Sequence, residues 1–290
     1  MKYFRIGWVG AMIDDAATWC AERSEGAKSI CVPFSGSGRA IATMAQTNPG
    51  ATIRSFDMQL YCDAFVRGIF GAAEQGTSNV YDIRLRKGTM FEERFLKGMP
   101  DECAGYFDWI AKHGTLYDIA CLGSTTIRST MVGRMTHWSD SKDVYSYHKS
   151  FCLTRERLRE WVGLDAKFDH SLGSVFDYLP LSNHYDIVQV DPPKVTSSTD
   201  VYSGGGFAAM NRALGGPDIM VWRKEDVVAR MDQIMNIDGD RFLFFYTTGV
   251  KPTPEEMKRI LQRYGVIEEE VVFPHAKRDD IAWLLERRYP

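Results

Sequence analysis

The first third of the chain alternates short apolar strands with helices, and this alternation constrains the fold more than any other feature. KSICVPF (28–34) predicts a buried strand, RAIATMAQT (39–47) a helix, ATIRSFD (51–57) a second strand, and residues 58–74 a further helix. Strand, loop and helix in this order build parallel units with right-handed crossovers. We therefore expect an α/β fold with a doubly wound, mostly parallel sheet, preceded by a helix over 13–25.

The same alternation returns in the last part of the chain. YDIVQVDPP (185–193) and RFLFFYTT (241–248) predict strands, and a helix is expected near 224–236. TPEEMKRILQRYG (253–265) predicts a helix with a threonine cap and glutamates in its first turn. VIEEEVVF and IAWLLERR then predict two terminal strands, which often close such a sheet with a hairpin.

The middle of the chain is less regular. It predicts a helix at 101–113, an apolar strand at 117–123 (YDIACLG) and a basic helix at 154–163 (TRERLREWVG). The basic residues form two clusters, Arg84, Arg86 and Lys87, and Arg155, Arg157 and Arg159. We interpret the second cluster as a solvated helix face in preference to a surface that contacts a nucleic-acid groove. Histidines 113, 137, 148 and 170 lack metal-ligand spacing and are assigned to structure or surface, so no metal is implied.

Composition excludes several classes of protein. A hydrophobic content of 44% suffices for a buried core, and the net charge of -3 carries no basic signature for nucleic acid. No run of apolar residues is long enough to span a membrane, and the start of the chain does not resemble a signal peptide. The 6 cysteines are scattered without CxxC pairs, which predicts free thiols in a reducing, cytoplasmic compartment.

The first motif with chemical meaning is VPFSGSGRA (32–40), on a strand-to-helix turn. Gly36 and Gly38 allow the backbone to approach a ligand and to take positive φ, and free N–H groups at the helix start favour a polar or anionic group. Asp57 ends the next strand, where a carboxylate can accept both hydroxyls of a ribose. A nucleoside-bearing ligand is one interpretation of this pattern; a tight turn without a ligand is the other.

The second motif is Asp191-Pro192-Pro193-Lys194, directly behind an apolar strand. Prolines cannot continue the strand's hydrogen bonding, so the chain turns and leaves an acid at the strand end. In an open α/β sheet that position faces the ligand crevice. If this strand lies beside the first, Asp191 and the glycine loop share one sheet edge; a plain proline-terminated strand is the alternative.

Together these motifs resemble the Dam-type (D12 class) adenine-N6 DNA methyltransferases. That family has an FxGxG loop, a target-recognition insertion and then DPPY; this chain has FSGSG (34–38) and DPPK (191–194). GWVGAM, with Trp8, stands where the family has an aromatic-x-Gly-x-Lys motif, and GSVFDYL (173–179) resembles its GDF-type stretch. Tyr202 and Phe207 resemble the aromatic segment after its DPPY.

The resemblance implies a Rossmann-like S-adenosylmethionine-dependent methyltransferase domain at 1–78 and 168–290, with an inserted target-recognition region at 79–167, and suggests a phage or mobile-element source. The methyl donor would place its ribose on Asp57 and its adenine against Phe176. An adenine flipped out of DNA would present its amine to Asp191 and the Pro192 carbonyl. The implied cofactor-binding residues are Trp8, Phe34, Ser35, Gly36, Ser37, Gly38, Asp57, Phe176 and Asp191. The implied catalytic residues are Asp191, Pro192, Pro193 and Lys194, and the implied base-pocket residues are Lys194, Tyr202 and Phe207.

Three residues depart from the family pattern. Lys194 replaces an aromatic residue that stacks on the flipped base, Met12 replaces the N-terminal lysine, and Ser174 replaces the acid of the GDF-type stretch. Lys194 either lines the base pocket or turns outward, away from the sulfonium. The departures leave a second hypothesis open: a catalytically altered or inactive methyltransferase fold that modifies another base or binds nucleic acid or protein without methylating.

Overall fold

The computed structural model describes residues 14–36, 38–70, 101–129, 143–196, 208, 211, 214, 216–274 and 279–288. The helices in these ranges are α1 (Asp14–Ser24), α2 (Arg39–Thr47), α3 (Leu60–Phe65, continued by a π-helical turn over Val66–Phe70), α4 (Asp101–His113), α5 (Leu116–Ser129), α6 (Val144–Leu158), α7 (Val227–Ile234) and α8 (Pro254–Leu261). The strands are β1 (Ser29–Val32), β2 (Thr52–Asp57), β3 (Lys167–Leu172), β4 (Tyr185–Val190), β5 (Gly239–Thr247), β6 (Gly265–Phe273) and β7 (Asp280–Arg287).

The strands form one 7-stranded sheet in the order β3-β2-β1-β4-β5-β7-β6. The pairs from β3 to β5 are parallel, and β7 runs antiparallel to both β5 and β6. The expected terminal hairpin and the expected neighbour relation between β1 and β4 are both confirmed. The fold is therefore α/β and Rossmann-like, with a mostly parallel sheet, as the sequence predicted.

The sheet is covered on both faces. In β1, Ile30 and Val32 pack with the core formed by α1 to α6, whereas Cys31 points to the core formed by α7 and α8. This alternation follows from the two-residue period of a strand. The apolar run of β5 divides in the same way and is buried on both faces, which is typical of a central strand.

Local signals fix several element ends. Gly38 precedes α2 with φ 74°, a left-handed conformation that favours glycine. At α8 the Thr253 hydroxyl accepts the Glu256 N–H at 3.3 Å and the Glu256 carboxylate accepts the Thr253 N–H at 2.7 Å. This reciprocal capping box, followed by Pro254, confirms the predicted start of the last helix.

The predicted strand at 117–123 was wrong, because these residues lie in helix α5 (Leu116–Ser129). A short apolar run does not distinguish a strand from a buried helix. The helix start is set by Thr115 and Asp118: the Asp118 carboxylate accepts the Thr115 N–H at 3.0 Å, and the Thr115 hydroxyl accepts the Asp118 N–H at 3.2 Å. Gly123 then lets α5 approach α3 closely, since a Cβ there would lie 2.9 Å from that of Tyr61.

Two further elements differ from expectation. The basic helix predicted at 154–163 begins at Val144, capped by Asp143, whose carboxylate accepts the Ser146 N–H at 2.7 Å. Strand β3 was not predicted; it pairs in parallel with β2 along its whole length and forms one edge of the sheet.

The predicted division of the chain into 1–78 with 168–290 and an inserted 79–167 stays a prediction. Of the helices in the described part of that insertion, α5 packs against α3, α4 and α6 pack against α5, and all three share the apolar core of α3. None of the described helices is long and apolar enough to cross a membrane.

Candidate functional site

Three motif residues follow neighbouring strands at the carboxyl edge of the sheet. The pairing Val32↔Ser55, extended by two residues, brings Phe34 level with Asp57. The pairing Cys31↔Val188, if continued for three residues past the strand ends, would bring Phe34 level with Asp191. The fold thus places the glycine loop between the two acids singled out from the sequence, at the edge where open α/β sheets bind ligands.

The loop after β1 depends on its two glycines in different ways. Gly38 has φ +74°, and a Cβ there would lie 2.7 Å from Cε2 of Phe70, so a side chain is excluded by both conformation and space. Gly36 has φ +52°, but a Cβ there would meet no atom of the described residues within 4 Å. The backbone at Gly36 therefore borders open space, as a loop that a ligand approaches closely requires.

Asp57 holds this loop in place. Its Oδ2 accepts the Gly36 N–H at 2.8 Å and contacts the Ser35 hydroxyl at 3.4 Å, while its Oδ1 accepts the Gln59 N–H at 2.8 Å. Burial raises the pKa of Asp57 to about 6, and the hydrogen bonds from Gln59 and Gly36 partly offset that rise. Oδ2 already receives two donors and Oδ1 one backbone donor, so a ligand hydroxyl can reach Oδ1, or replace the longer Ser35 contact on Oδ2.

An aromatic cluster lies beside the loop. The ring of Phe34 is 6.4 Å from that of Phe176 and 5.5 Å from that of Trp222, and Phe176 and Trp222 are 5.8 Å apart. The Arg230 guanidinium, from α7, lies 5.0 Å over Trp222 and 5.8 Å over Phe176. The sequence pointed to Phe34 and Phe176 but missed Trp222 and Arg230, because no local motif marks them.

Ser174 follows β3 and replaces the acid of the GDF-type pattern that the sequence resembles. It is buried, its hydroxyl accepts the Phe176 N–H at 3.4 Å, and it contacts the sulfur of Met220 at 3.9 Å. The hydroxyl thus caps the short 3₁₀ turn (Val175–Asp177) that carries Phe176. Asp177, the nearby alternative acid, is exposed.

Asp191 and Lys194 form an ion pair at the end of β4. The Lys194 Nζ lies 3.7 Å from Asp191 Oδ1, and the lysine side chain is only 5% exposed, against 26% for the aspartate. Lys194 therefore does not turn outward, which decides one of the alternatives left by the sequence. Pro192 is buried between them, and the Lys251 N–H donates to the Val195 carbonyl at 2.8 Å, which fixes the segment after the prolines.

Several predicted site residues lie outside the described residues: Trp8, Met12, Ser37, Tyr202 and Phe207, together with the basic cluster Arg84, Arg86 and Lys87. In the second basic cluster, Arg155 pairs with Asp118 at 3.0 Å and lies over the Tyr117 ring, so it serves the packing of α5 and α6. Arg157 and Arg159 are exposed.

The described histidines stand apart from the site. The His170 side chain is buried and its Nδ1 lies 2.8 Å from the Ser55 hydroxyl; burial, followed by the charges of Arg67 and Arg54, lowers its pKa to about 3. His184 lies with Asp186 and Asp240 at the opposite edge of the sheet, where their ligand atoms lie within 4.8 Å of one another. Both its ring nitrogens face carboxylates at 3.3 Å, which raises the His184 pKa and favours an imidazolium over a metal ligand.

No protein-family model matches the sequence, and no curated protein does. Among solved structures, TrmN from Thermus thermophilus is similar with a TM-score of 0.44 and 11% identity; the match covers 96% of this chain, which spans only 50% of the TrmN chain. The N-methyltransferase NodS from Bradyrhizobium japonicum has a TM-score of 0.39 and 9% identity, with 95% of this chain and 94% of that one covered. Magnesium protoporphyrin IX methyltransferase from Synechocystis, with bound SAH, has a TM-score of 0.40 and 9% identity, and the match covers 95% of this chain and 81% of that one.

Proposed function

We propose that this chain is an S-adenosylmethionine-dependent methyltransferase that acts on the N6 amine of adenine in DNA. The observation that carries the proposal is the strand order β2-β1-β4, in which three neighbouring parallel strands lead at their carboxyl ends to Asp57, Phe34 and Asp191. This order puts a ribose acceptor, a loop that a ligand can approach and an amine acceptor within one crevice.

The residues of the loop fit the proposed methyl donor. Open space next to Gly36 leaves room for a ligand against the backbone; Asp57 Oδ1 can accept one ribose hydroxyl, and a second can bind Oδ2 by replacing the 3.4 Å contact of the Ser35 hydroxyl. Phe176 and Trp222 provide aromatic surface for an adenine ring. The donor supplies the transferable methyl group; the loop, the acid and the aromatic rings orient it.

Asp191 and the Pro192 carbonyl are the proposed acceptors for the two hydrogens of an exocyclic amine. Acceptors on both N–H groups favour a tetrahedral, nucleophilic nitrogen, and the prolines hold the acceptors in place while the nitrogen attacks the methyl group in line. The proton leaves the methylated nitrogen toward Asp191. Catalysis by positioning and fixed dipoles is sufficient here, with no covalent intermediate.

Lys194 supports a second candidate function. Its ammonium, 3.7 Å from Asp191 Oδ1, occupies the neighbourhood in which an amine substrate would bind, and it offers no aromatic face for a flipped base. The net charge of -3 also provides little attraction for duplex phosphates. These two observations favour a scaffold that modifies another base, or that binds nucleic acid or protein without methylating.

A methyl-transfer assay distinguishes the two candidates. The chain is incubated with S-adenosylmethionine labelled in its methyl group and adenine-containing duplex DNA, and label in the DNA is counted. We expect transfer by the wild type and none by Asp191→Ala, whereas Asp238→Ala, an exposed acid at the opposite sheet edge, retains transfer. Absence of transfer by the wild type, with labelled donor still bound, would favour the second candidate.

Lys194→Tyr refines the result, because tyrosine restores the residue of the related family. Gain of transfer in this variant alone would mean that the lysine suppresses the reaction. If Lys194→Tyr instead loses an activity that the wild type has, Lys194 takes part in that activity. Calorimetric binding of the donor, lost in Asp57→Ala, tests the cofactor site independently of the substrate.

A further inference from the structure

On the outer surface of α4 and α6, the His148 imidazole lies between the Cys152 thiol and the Tyr106 hydroxyl and contacts both. Cys152 is exposed, and its Sγ lies 3.4 Å from Nε2 of His148, one helical turn earlier on α6. The other ring nitrogen, Nδ1, lies 2.7 Å from the hydroxyl of Tyr106 on α4. A nucleophile within reach of a base that a third group orients is the arrangement of an activated nucleophile.

We propose that Cys152 is a reactive thiol, activated by His148, and that low-molecular-weight disulfides modify it by thiol–disulfide exchange. The reaction uses the tautomer in which Nδ1–H donates to the Tyr106 oxygen, leaving Nε2 free to accept the thiol proton. The Cys152 sulfur forms a bond to one sulfur of the disulfide, and the original S–S bond breaks. The second sulfur leaves as a thiolate, which takes the proton from the imidazolium, so atoms and electrons balance.

The packing around the imidazole holds it for this role. The Tyr106 ring meets the His148 ring edge-on at 5.4 Å and also packs against the rings of Tyr147 and Phe151. Burial raises the pKa of Tyr106 to about 12, so its hydroxyl stays neutral and can accept from Nδ1–H. Because residues four apart share one face of a helix, His148 and Cys152 stay adjacent as long as α6 is formed.

The remaining cysteines cannot compete for such reagents. Cysteines 20, 31, 62, 103 and 121 are each 0% exposed, and burial raises their pKa values. Among the described residues, Arg155 and Asp118 act electrostatically on Tyr106, and α6 itself carries the exposed Lys149 and Glu156. Modification of the native chain is therefore expected at a single position, away from the sheet edge that holds the proposed methyl-transfer site.

The test measures the rate at which 5,5′-dithiobis(2-nitrobenzoate), an aromatic disulfide, modifies the native full-length chain at neutral pH. We expect one equivalent of coloured thiolate per chain, with the adduct on Cys152 by peptide mass spectrometry and none in Cys152→Ser. His148→Gln keeps a polar side chain of similar size but removes the base, and it should slow the reaction about tenfold. Tyr106→Phe should slow it about threefold, because the imidazole is then less well oriented.

A cysteine placed elsewhere on α6, without a histidine one turn before it, measures the reaction rate of a thiol that has no imidazole beside it. Leu153 is 42% exposed and follows Lys149, not a histidine, by one turn. The double variant Cys152→Ser/Leu153→Cys should react at the slow rate of the His148→Gln variant. Equal rates for wild type, His148→Gln and this double variant, or an adduct on another cysteine, would overturn the proposal; circular dichroism of each variant confirms that it is folded.

Discussion

Asp57 makes the proposed cofactor site dependent on pH in a defined direction. In the free protein, burial raises the pKa of Asp57 to about 6 from an ordinary value of 3.8, so below pH 6 the carboxyl group is mostly protonated. Ribose hydroxyls donate hydrogen bonds to the ionised carboxylate and lower its pKa in the complex. Protons and the cofactor therefore compete for the same group.

The magnitude follows from this competition. At pH 7 about one-tenth of the free protein carries the proton on Asp57, and at pH 5 about nine-tenths does. The dissociation constant of the cofactor should then rise about tenfold between pH 7 and pH 5, and Asp57 should take up as much as about one proton when the cofactor is released. Affinity is retained above pH 6 and lost as the pH falls through it.

The assay is isothermal titration calorimetry of S-adenosylmethionine at pH 5, 6 and 7, in buffers of different ionisation enthalpy. The carboxylate and amine of the ligand do not titrate appreciably over most of this range. Asp57→Asn keeps the shape of the side chain without a titratable proton, so its affinity should be weak and independent of pH. A constant wild-type affinity from pH 5 to 7, or an equal decline in Asp57→Asn, would refute the assignment of the ribose to Asp57.

Three further changes test the surroundings of the site. Gly38→Ala should lower the free energy of unfolding by about 2–4 kcal/mol in urea denaturation, because it combines a left-handed backbone with a clash against Phe70. Gly36→Ala has the left-handed backbone without the clash, so it should lower the free energy of unfolding by only about 1 kcal/mol. Equal losses would contradict the close approach at Gly38. Lys194→Met removes a cation beside the proposed methyl donor, so the affinity for S-adenosylmethionine relative to S-adenosylhomocysteine should rise about three- to tenfold by calorimetry; an unchanged ratio would place the sulfonium elsewhere. Thr253→Ala removes a capping box and should cost about 1 kcal/mol in thermal unfolding, with Thr253→Ser close to wild type.

Much of the sheet could be predicted because its local chemistry is explicit. Gly38, with its left-handed backbone, separates β1 from α2. The prolines that follow Val190 cannot donate the hydrogen bonds of a strand, so β4 ends there. The apolar residues of β5 are typical of a buried strand, and β5 lies inside the sheet, between β4 and β7. Each of these signals acts within a few residues, so one sequence is enough to recognise it.

The remaining elements depend on contacts between distant parts of the chain. Strand β3 carries polar residues and is held by its pairing with β2, more than 100 residues earlier, as in Thr52↔Lys167. The run at 117–123 is compatible with either periodicity, and its helical state is set by the cap at Thr115 and by packing on α3. Local propensity cannot supply such non-local stabilisation.

The candidate site divides in the same way. Asp57 and Asp191 could be predicted because strand ends in a parallel sheet meet at one edge. Trp222 and Arg230 could not, because they reach Phe176 from a separate segment of the chain. The direction of Lys194 was also open from the sequence, since a lysine after two prolines can point either way; its ion pair with Asp191 decides it.

Mass spectrometry of nucleosides tests the central claim most directly. Duplex DNA is incubated with the chain and S-adenosylmethionine carrying a deuterated methyl group, then digested to nucleosides, with RNA treated in parallel. We expect N6-methyldeoxyadenosine carrying the deuterated methyl group with the wild type and none with Asp191→Ala. No deuterated nucleoside from either DNA or RNA, or the label on a base other than adenine, would contradict that claim.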